Sequence, residues 1–443
     1  MFSRKYTLII LLLVSGFKVS AQQNNIYTLQ QCLDTAVKYN LQVQQSFITA
    51  ETNRISYVQA KDNLYPTAVA GVSRELTTGR SLNPVTNTYF NQSVTSDNYT
   101  LQSSAVLFNG LAYQNAIKQA SLAYQSGKMN YQAAKDIVTV NVITNYLQVL
   151  DQEEQLEQTK SQLLVAQQGA DRGEILEKEG ANKAESDVYD LRGSLEASKV
   201  NVVNAQNTLS TAMLSLFQLM NIPYNKDAQL QPLNAQDLTG DKDVTPDQVY
   251  QAGLQQLAVV KAASLMRESA EKGVKYYRGL LYPTLALSGG IGTNYSNSNL
   301  SSYGNQFQNN YGTYLQLGLN IPIFTNHLKK NALALAKINL LNYQYLEENT
   351  KVTLRQNVEQ AYYNMTAAYN KYQALDKEVE AYDESFRISK IRFEAGVLTS
   401  VDYITYKDKM DAANLSLISS RYDYFIYSKI LDYYQGKLTF PTN

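Results

Sequence analysis

The chain has no tryptophan, one cysteine, one histidine and no excess of either charge over its 443 residues. A single Cys cannot close an internal disulfide, and Cys32 with His327 cannot make up the usual soft-ligand zinc set. Cys32 reads as packing. Lys and Arg number 39 and so do Asp and Glu, which leaves no basic field to hold nucleic acid. Beyond the amino terminus no stretch approaches the ~18 uninterrupted apolar residues of a membrane helix. The aromatics are 35 Tyr and 12 Phe, a balance suited to rings that keep one polar end in water at an interface.

The first residues carry Arg4 and Lys5, an apolar run from Leu8 to Val14, and small residues at Val19-Ser20-Ala21. This is the pattern of a secretory signal, 1–21, cut after Ala21. The new amino terminus is Gln22 and not Cys, so lipid anchoring is not indicated. Losing Arg4, Lys5 and Lys18 leaves the mature chain slightly acidic.

An internal repeat organises the rest. Thr28-Leu29-Gln30-Gln31 is echoed by Thr245-Pro246-Asp247-Gln248, and Leu64-Tyr65-Pro66-Thr67 by Leu281-Tyr282-Pro283-Thr284. Phe108-Asn109 is matched by Phe324-Thr325, Glu179-Gly180 by Ala395-Gly396, Asp187 by Asp402, and Asn221 by Gly436, at offsets of 215 to 217. The expected first repeat is 22–244: a helix, a strand pair at 66–75 and 98–108, a helical hairpin at 110–220 and a linker. The second is 245–443: a helix, a strand pair at 283–294 and 311–323, a hairpin at 328–435 and a terminal segment.

The long helices are read from Pro-free stretches with apolar groups three and four apart, such as Ile137, Val140, Ile143 and Leu147, and Val358, Tyr362, Met365 and Tyr369. A helix of ~60 residues would be ~90 Å long, more than a compact domain needs. Breaks are expected at Gly169, Gly173 and Gly180, and near Gly396.

The strands are read from alternation. Leu315, Leu317, Leu319 and Ile321 oppose Tyr314, Gln316, Gly318 and Asn320. Leu285, Leu287 and Ile291 oppose Thr284, Ser288 and Gly290, and Leu101, Ala105 and Leu107 oppose Thr100, Gln102 and Ser104. The run 67–75 alternates poorly and is placed by the repeat. Tyr65, Tyr99, Tyr282, Tyr295, Tyr311 and Tyr314 cluster near the strand ends as an interfacial girdle would. Asn-, Ser- and Thr-rich loops at 76–97 and 296–310 should face outward. A soluble two-sheet domain fits the alternation alone; export, tyrosines and the missing membrane helix favour strands in lipid. Four strands cannot close a barrel, and open edges are not tolerated in lipid, so other copies of the chain must complete it. Three copies give twelve strands and a lumen lined by Gln102, Ser104, Gln316 and Asn320, with Leu285, Leu287, Leu315, Leu317 and Leu319 on lipid.

Taken together, the doubled Leu-Tyr-Pro-Thr entry, the strand exit Ile321-Pro322-Ile323-Phe324 and the turn segment from Phe393 to Asp402 resemble the TolC family of outer-membrane efflux proteins. The resemblance implies a mixed, predominantly α fold: an internally duplicated protomer giving four strands to a trimeric twelve-stranded transmembrane β-barrel and long helices to a periplasmic α-barrel. It implies a homotrimer in the outer membrane, with no cofactor, serving as the exit duct of a tripartite efflux or type I secretion system. Its partners would be a periplasmic adaptor, an inner-membrane pump and outer-membrane lipid. Shorter elements at 221–244 and 436–443 would form an equatorial region. The periplasmic gate would fall on Asp402, Asp187 and Phe393. Departures occur there: Phe393 has no hydroxyl to bond Asp187, which would need another donor such as Lys183, Arg392 or a backbone N–H. Leu398 stands where a basic residue is expected and Thr405 where a second acid is, and Val106 replaces the proline of the second strand exit.

Other chemistries fit the residues less well. Glu153-Glu154 and Glu347-Glu348 could serve as a glycosidase pair but read as charge on long helices. Gly289-Gly290-Ile291-Gly292 lacks the Lys-Ser/Thr of a phosphate loop and reads as close packing in a strand. Asn98-Tyr99-Thr100 is a chance-level glycosylation triplet. His327 reads as a solvent or interface residue. A secreted structural coiled coil leaves the strands unexplained, and an envelope hydrolase lacks a convergent catalytic set.

Overall fold

The computed structural model describes residues 26–82, 86–179, 185–233 and 244–437; the expected signal lies outside them. The first copy contains β1 (Ile26–Tyr27), α1 (Leu29–Tyr39), α2 (Leu41–Asp62), β2 (Thr67–Leu82), β3 (Tyr89–Phe108), α3 (Ala112–Lys178), α4 (Glu185–Leu219) and β4 (Gln229–Leu230). The second contains α5 (Pro246–Gln256), α6 (Ala258–Gly279), β5 (Thr284–Ser296), an inserted α7 (Tyr303–Asn309), β6 (Gly312–Asn320), α8 (Leu328–Glu394) and α9 (Ser400–Tyr434).

The duplication extends to hydrogen-bond chemistry. Gln31 and Thr28 bond reciprocally at the start of α1, and Gln248 and Thr245 do the same before α5, each a capping box that satisfies free backbone donors. At both strand exits two successive residues take positive φ, Gly110-Leu111 and Asn326-His327. His327 thus occupies a turn position, its ring edge-on to Phe324. Helices α4, α8 and α9 end on left-handed residues, Asn221, Gly396 and Gly436, with the backbone N–H after each reaching back five residues. That is the Schellman closure, which Gly and Asn adopt at little cost.

The chain forms two compact units. The strand-bearing unit takes residues 45–134 and 253–355, and the helical unit takes the remaining described residues; α3 and α8 contribute to both. In the strand-bearing unit one antiparallel sheet has the order β2-β3-β5-β6. Residues opposite one another share a face, so the register decides which side chains meet. One face collects Thr67, Ser104, Ser288 and Gln316 in one row, and Val69, Gln102, Gly290 and Tyr314 in the next. The other collects Ala105, Leu287 and Leu317, then Ala70, Leu101 and Ile291. A bulge between Val106 and Phe108 puts Phe108, and not Leu107, opposite Leu285.

Some strand limits differ from the expected ones. The segment 76–97 is not a long loop: β2 and β3 pair from Thr67↔Ser104 up to Leu82↔Tyr89. Above Ser96↔Ser296, where β5 ends, they continue as a two-stranded ribbon. Thr77, Thr78 and Val94 supply β-branched and Tyr89 and Phe90 aromatic side chains that suit strands, a signal masked by the polar residues around them. The 296–310 segment holds α7, which Ser302 caps by accepting the Asn305 N–H. β6 stops at Asn320, since Pro322 has no N–H to extend a ladder.

Four helices of this unit are joined in the order of the strands. Phe47 and Tyr131 link α2 to α3, Ser126 and Ser269 hydroxyls donate to the Ala262 and Gln119 carbonyls between α3 and α6, and Arg267 pairs with Glu347 between α6 and α8.

In the helical unit α3 runs unbroken through Gly169 and Gly173 to Lys178. These glycines are not breaks: a Cβ at Gly173 would lie 2.4 Å from Leu191 Cδ1, and one at Gly169 would lie 2.9 Å from Tyr403 Cε1. They let α4 and α9 pack closely on α3. Gly180 lies outside the described residues. Near the turns Leu191 and Leu195 of α4, Phe386 and Phe393 of α8 and Tyr403 of α9 form one apolar cluster. Elsewhere β1 pairs with β4 in parallel, and the buried Tyr146 hydroxyl donates to the Gln231 carbonyl at 2.7 Å. Cys32 is fully buried, its thiol pushed up to about 12 by desolvation.

Candidate functional site

The residues expected to carry function lie in two places: the faces of the sheet and the turns that end the long helices. All four polar residues named from alternation, Gln102, Ser104, Gln316 and Asn320, fall on one face of the sheet; Leu285, Leu287, Leu315, Leu317 and Leu319 fall on the other. Tyr314 belongs to the polar face, its ring over Gly290, where a Cβ would meet Cε1 at 2.7 Å. It is therefore not part of an outward tyrosine girdle.

Tyr99 and Tyr295 stand on the apolar face near its upper end. α7 packs on them, with Tyr303 Oη 2.5 Å from Tyr99 Oη and Phe307 edge-on to the Tyr99 ring. Gln306, 2% exposed, accepts the Ser296 N–H and shares its amide protons among the Ser296, Asn299 and Ser301 carbonyls. On the same face Arg74 makes a two-pronged bond to Asp97 at 2.6 and 2.8 Å, with Asp97 buried. This pair marks the top of the apolar band and depends on cross-strand register, so spacing along the chain could not reveal it. From the Leu285 row to Tyr295, about ten residues of strand rise ~33 Å, which at a tilt of ~40° is ~25 Å of height, the apolar thickness of an outer-membrane barrel.

At the second turn Gly396 closes α8 and Thr399 caps α9. Thr399 Oγ1 accepts the Asp402 N–H at 3.1 Å and donates to Asp402 Oδ2 at 2.8 Å. Asp402 thus lies in the first helical turn, where the helix dipole favours a negative charge. Asp187 occupies the first turn of α4, and its Oδ1 accepts from the Ser400 hydroxyl at 2.8 Å. Ser400 is thus a donor to Asp187 that the sequence reading did not name; Lys183, which it did name, lies outside the described residues. Phe393 is 1% exposed and stacks on Tyr403 at 4.4 Å, so it contributes packing. Arg172 donates to the Glu394 carbonyl and tethers the end of α8 to α3.

Behind this turn an open groove of about 640 Å³ lies between α3, α4 and α9, lined by Asp190, Thr405, Lys407, Asp408 and Asp411. Lys407 Nζ is 2.6 Å from Asp411 Oδ2, both residues being buried. Burial raises the Asp411 carboxyl above its ordinary range against the pull of that ammonium. Sequence reading missed Tyr403, Lys407 and Asp411, although their spacing of four places them on one helix face.

The carboxylate pairs weighed as catalytic are engaged otherwise. Glu154 pairs with Arg421, and Glu347 with Arg267 and Lys351.

A four-stranded sheet with one polar and one apolar face, in a chain whose two longest helices have 67 residues each, defines a membrane-channel protomer. A family model for outer membrane efflux proteins matches residues 21–221 and 249–432. The chain is 22% identical over 336 residues to outer membrane protein TolC of Vibrio cholerae, covering 74% of each. Its fold matches the Campylobacter jejuni CmeC outer membrane channel with a TM-score of 0.81 at 16% identity, over 95% of this chain and 87% of that one. It matches the Vibrio cholerae outer membrane protein VceC with a TM-score of 0.78 at 14% identity, over 92% and 96%. The chain belongs to the outer membrane efflux protein family. Its place is the outer membrane and its role is efflux.

Proposed function

We propose that the chain is the passive exit duct of a tripartite efflux or type I secretion system. Three copies close a twelve-stranded barrel in the outer membrane and continue it as a periplasmic helical barrel, which receives substrate from an inner-membrane pump through a periplasmic adaptor. The observation that carries this reading is the two-faced sheet with open edges at β2 and β6. Lipid contains no water to satisfy those edges, so further copies must pair them. Gln102, Ser104, Gln316 and Asn320 line the lumen, and the five leucines face lipid. The duct performs no catalysis. The repeats 22–244 and 245–443 are its two structural halves. Purified protein in a planar bilayer should give discrete conductance steps; a monodisperse monomer that stays soluble without detergent would overturn the reading.

The helical turns are the periplasmic gate in this proposal. Three-fold symmetry repeats Asp402 and Asp187 around the axis, and like charges ~4 Å apart repel by about 1 kcal/mol in water and more at lower dielectric. Closure requires partners for them, and the Ser400 hydroxyl and the Thr399 cap supply these. Phe393 packs beneath the turn. The β2–β3 ribbon and the α7 loop face the exterior, so Thr88→Cys should react with an impermeant maleimide in intact cells. Labelling seen only after the outer membrane is permeabilised would reverse that topology.

A further inference from the structure

The polar face of the sheet is almost free of charge. From 67 to 108 and from 284 to 320 the chain has four ionised side chains, Arg74, Glu75, Arg80 and Asp97. Successive residues of a strand point to opposite faces, so the cross-strand register sorts the four. Arg74 lies opposite Asp97 and Arg80 opposite Asn91, in step with Ala70 and Leu101 on the apolar face. Glu75 lies opposite Ser96, and Ser96 opposite Ser296, in step with Thr67, Ser104 and Ser288 on the polar face. Among the described residues Glu75 is therefore the one charged side chain on that face. The two arginines nearest to it in the chain are engaged on the other side. Arg74 is held by its two-pronged bond to Asp97, and Arg80 lies over the Tyr89 ring, 4.6 Å from its centroid. The exposed Glu75 carboxylate accepts the Thr77 hydroxyl at 3.2 Å, a bond that leaves its charge in place. Its level is the rim of the sheet. β5 ends at Ser296, opposite Ser96, and β6 begins four rows lower, at Gly312 opposite Gly292.

We infer that Glu75 sets the charge preference of the barrel's outer mouth, passing cations and uncharged cargo ahead of anions. This rests on the lumen reading above and assigns selectivity to a residue remote from the helical turns. Twelve strands ~4.8 Å apart and tilted ~40° make a wall of roughly 12 Å radius, so three Glu75 carboxylates stand about 15 Å apart around the axis. At that distance in water each acts weakly on a passing ion, but the three add, and no cation on the same face opposes them. A passage lined by charge of one sign concentrates solutes of the other. Salt decides the reach. The field of such charges extends ~30 Å at 0.01 M ionic strength and ~3 Å at 1 M, so the ring spans the mouth in dilute salt and is screened out in strong salt.

The test reads that field with a thiol. Thr100 is exposed on the same face of β3, four residues from Ser96, which places it about 10 Å lower in the lumen. Thr100→Cys in isolated outer membranes is treated with a cationic and with an anionic methanethiosulfonate reagent, with and without Glu75→Gln. Native Cys32 can stay, being fully buried, and Gln keeps an oxygen for the Thr77 hydroxyl. In about 0.01 M salt Glu75→Gln should lower the ratio of cationic to anionic reaction rates roughly fivefold, and in about 1 M salt by no more than about twofold. Glu75→Lys should lower the ratio further than Glu75→Gln in dilute salt. A ratio that neither substitution moves in dilute salt, while both reagents react, would overturn the role of Glu75 and leave the lumen standing. A shift that persists in strong salt would also overturn it, since a local contact and not a field would then be at work. Failure of both reagents at Thr100→Cys and at Gln102→Cys would sink the lumen reading itself.

Discussion

Ser400 is fully buried, and its hydroxyl reaches a carboxylate 213 residues away along the chain. A hydrogen bond to a charged group contributes about 1.5–3 kcal/mol, so Ser400→Ala should weaken the closed turn. In single-channel recordings the variant should open more often than the parent. Asp402 has two roles that can be separated. Asp402→Asn keeps an oxygen for the Thr399 hydroxyl but removes the charge; weaker cation selectivity and weaker block by multivalent cations are expected with little change in stability. If only Asp402→Ala alters the recordings, the residue is a cap and not a gate charge. Asp411→Ala would strand the buried Lys407 ammonium, a change that costs about 3–5 kcal/mol. Asp411→Leu with Lys407→Met should recover most of that loss in urea unfolding of the extracted protein.

At the scale of elements, the sheet depends on close approach at one glycine. Gly290→Val would press on the Tyr314 ring and the Leu101 carbonyl, overpacking that costs about 1–3 kcal/mol. The assembly should melt earlier than the parent's, and Tyr314→Ser should partly restore it because it removes the ring. Gln306→Ala would remove a partner of the Ser296 N–H at the end of β5 and of the Ser296, Asn299 and Ser301 carbonyls, so it should speed proteolysis within the α7 loop and leave conductance unchanged. The alternating strands β5 and β6 were legible in the sequence because half-buried strands repeat with period two. The ribbon above them was not, since each of its faces mixes apolar residues such as Leu76 or Val94 with polar ones, so alternation has nothing to report. The glycines of α3 misled for a related reason. A glycine that makes room for Leu191 or Tyr403 looks the same in sequence as one that ends a helix.

For the whole molecule, a single copy has two open strand edges that lipid cannot satisfy, so assembly and membrane insertion should coincide. Samples left unheated in detergent should migrate as a trimer and boiled samples as a monomer, and dilution should not dissociate the unheated form. By itself the sequence determined the duplication, the long helices, the polar and apolar strand faces and the family, because periodicity and repeated landmarks are local and survive without contacts. Only the tertiary structure decided that Ser400 meets Asp187, that Arg74 meets Asp97 and that Phe393 is core. These depend on register and on helix packing across long chain separations, and no local spacing encodes which distant side chain will stand opposite another.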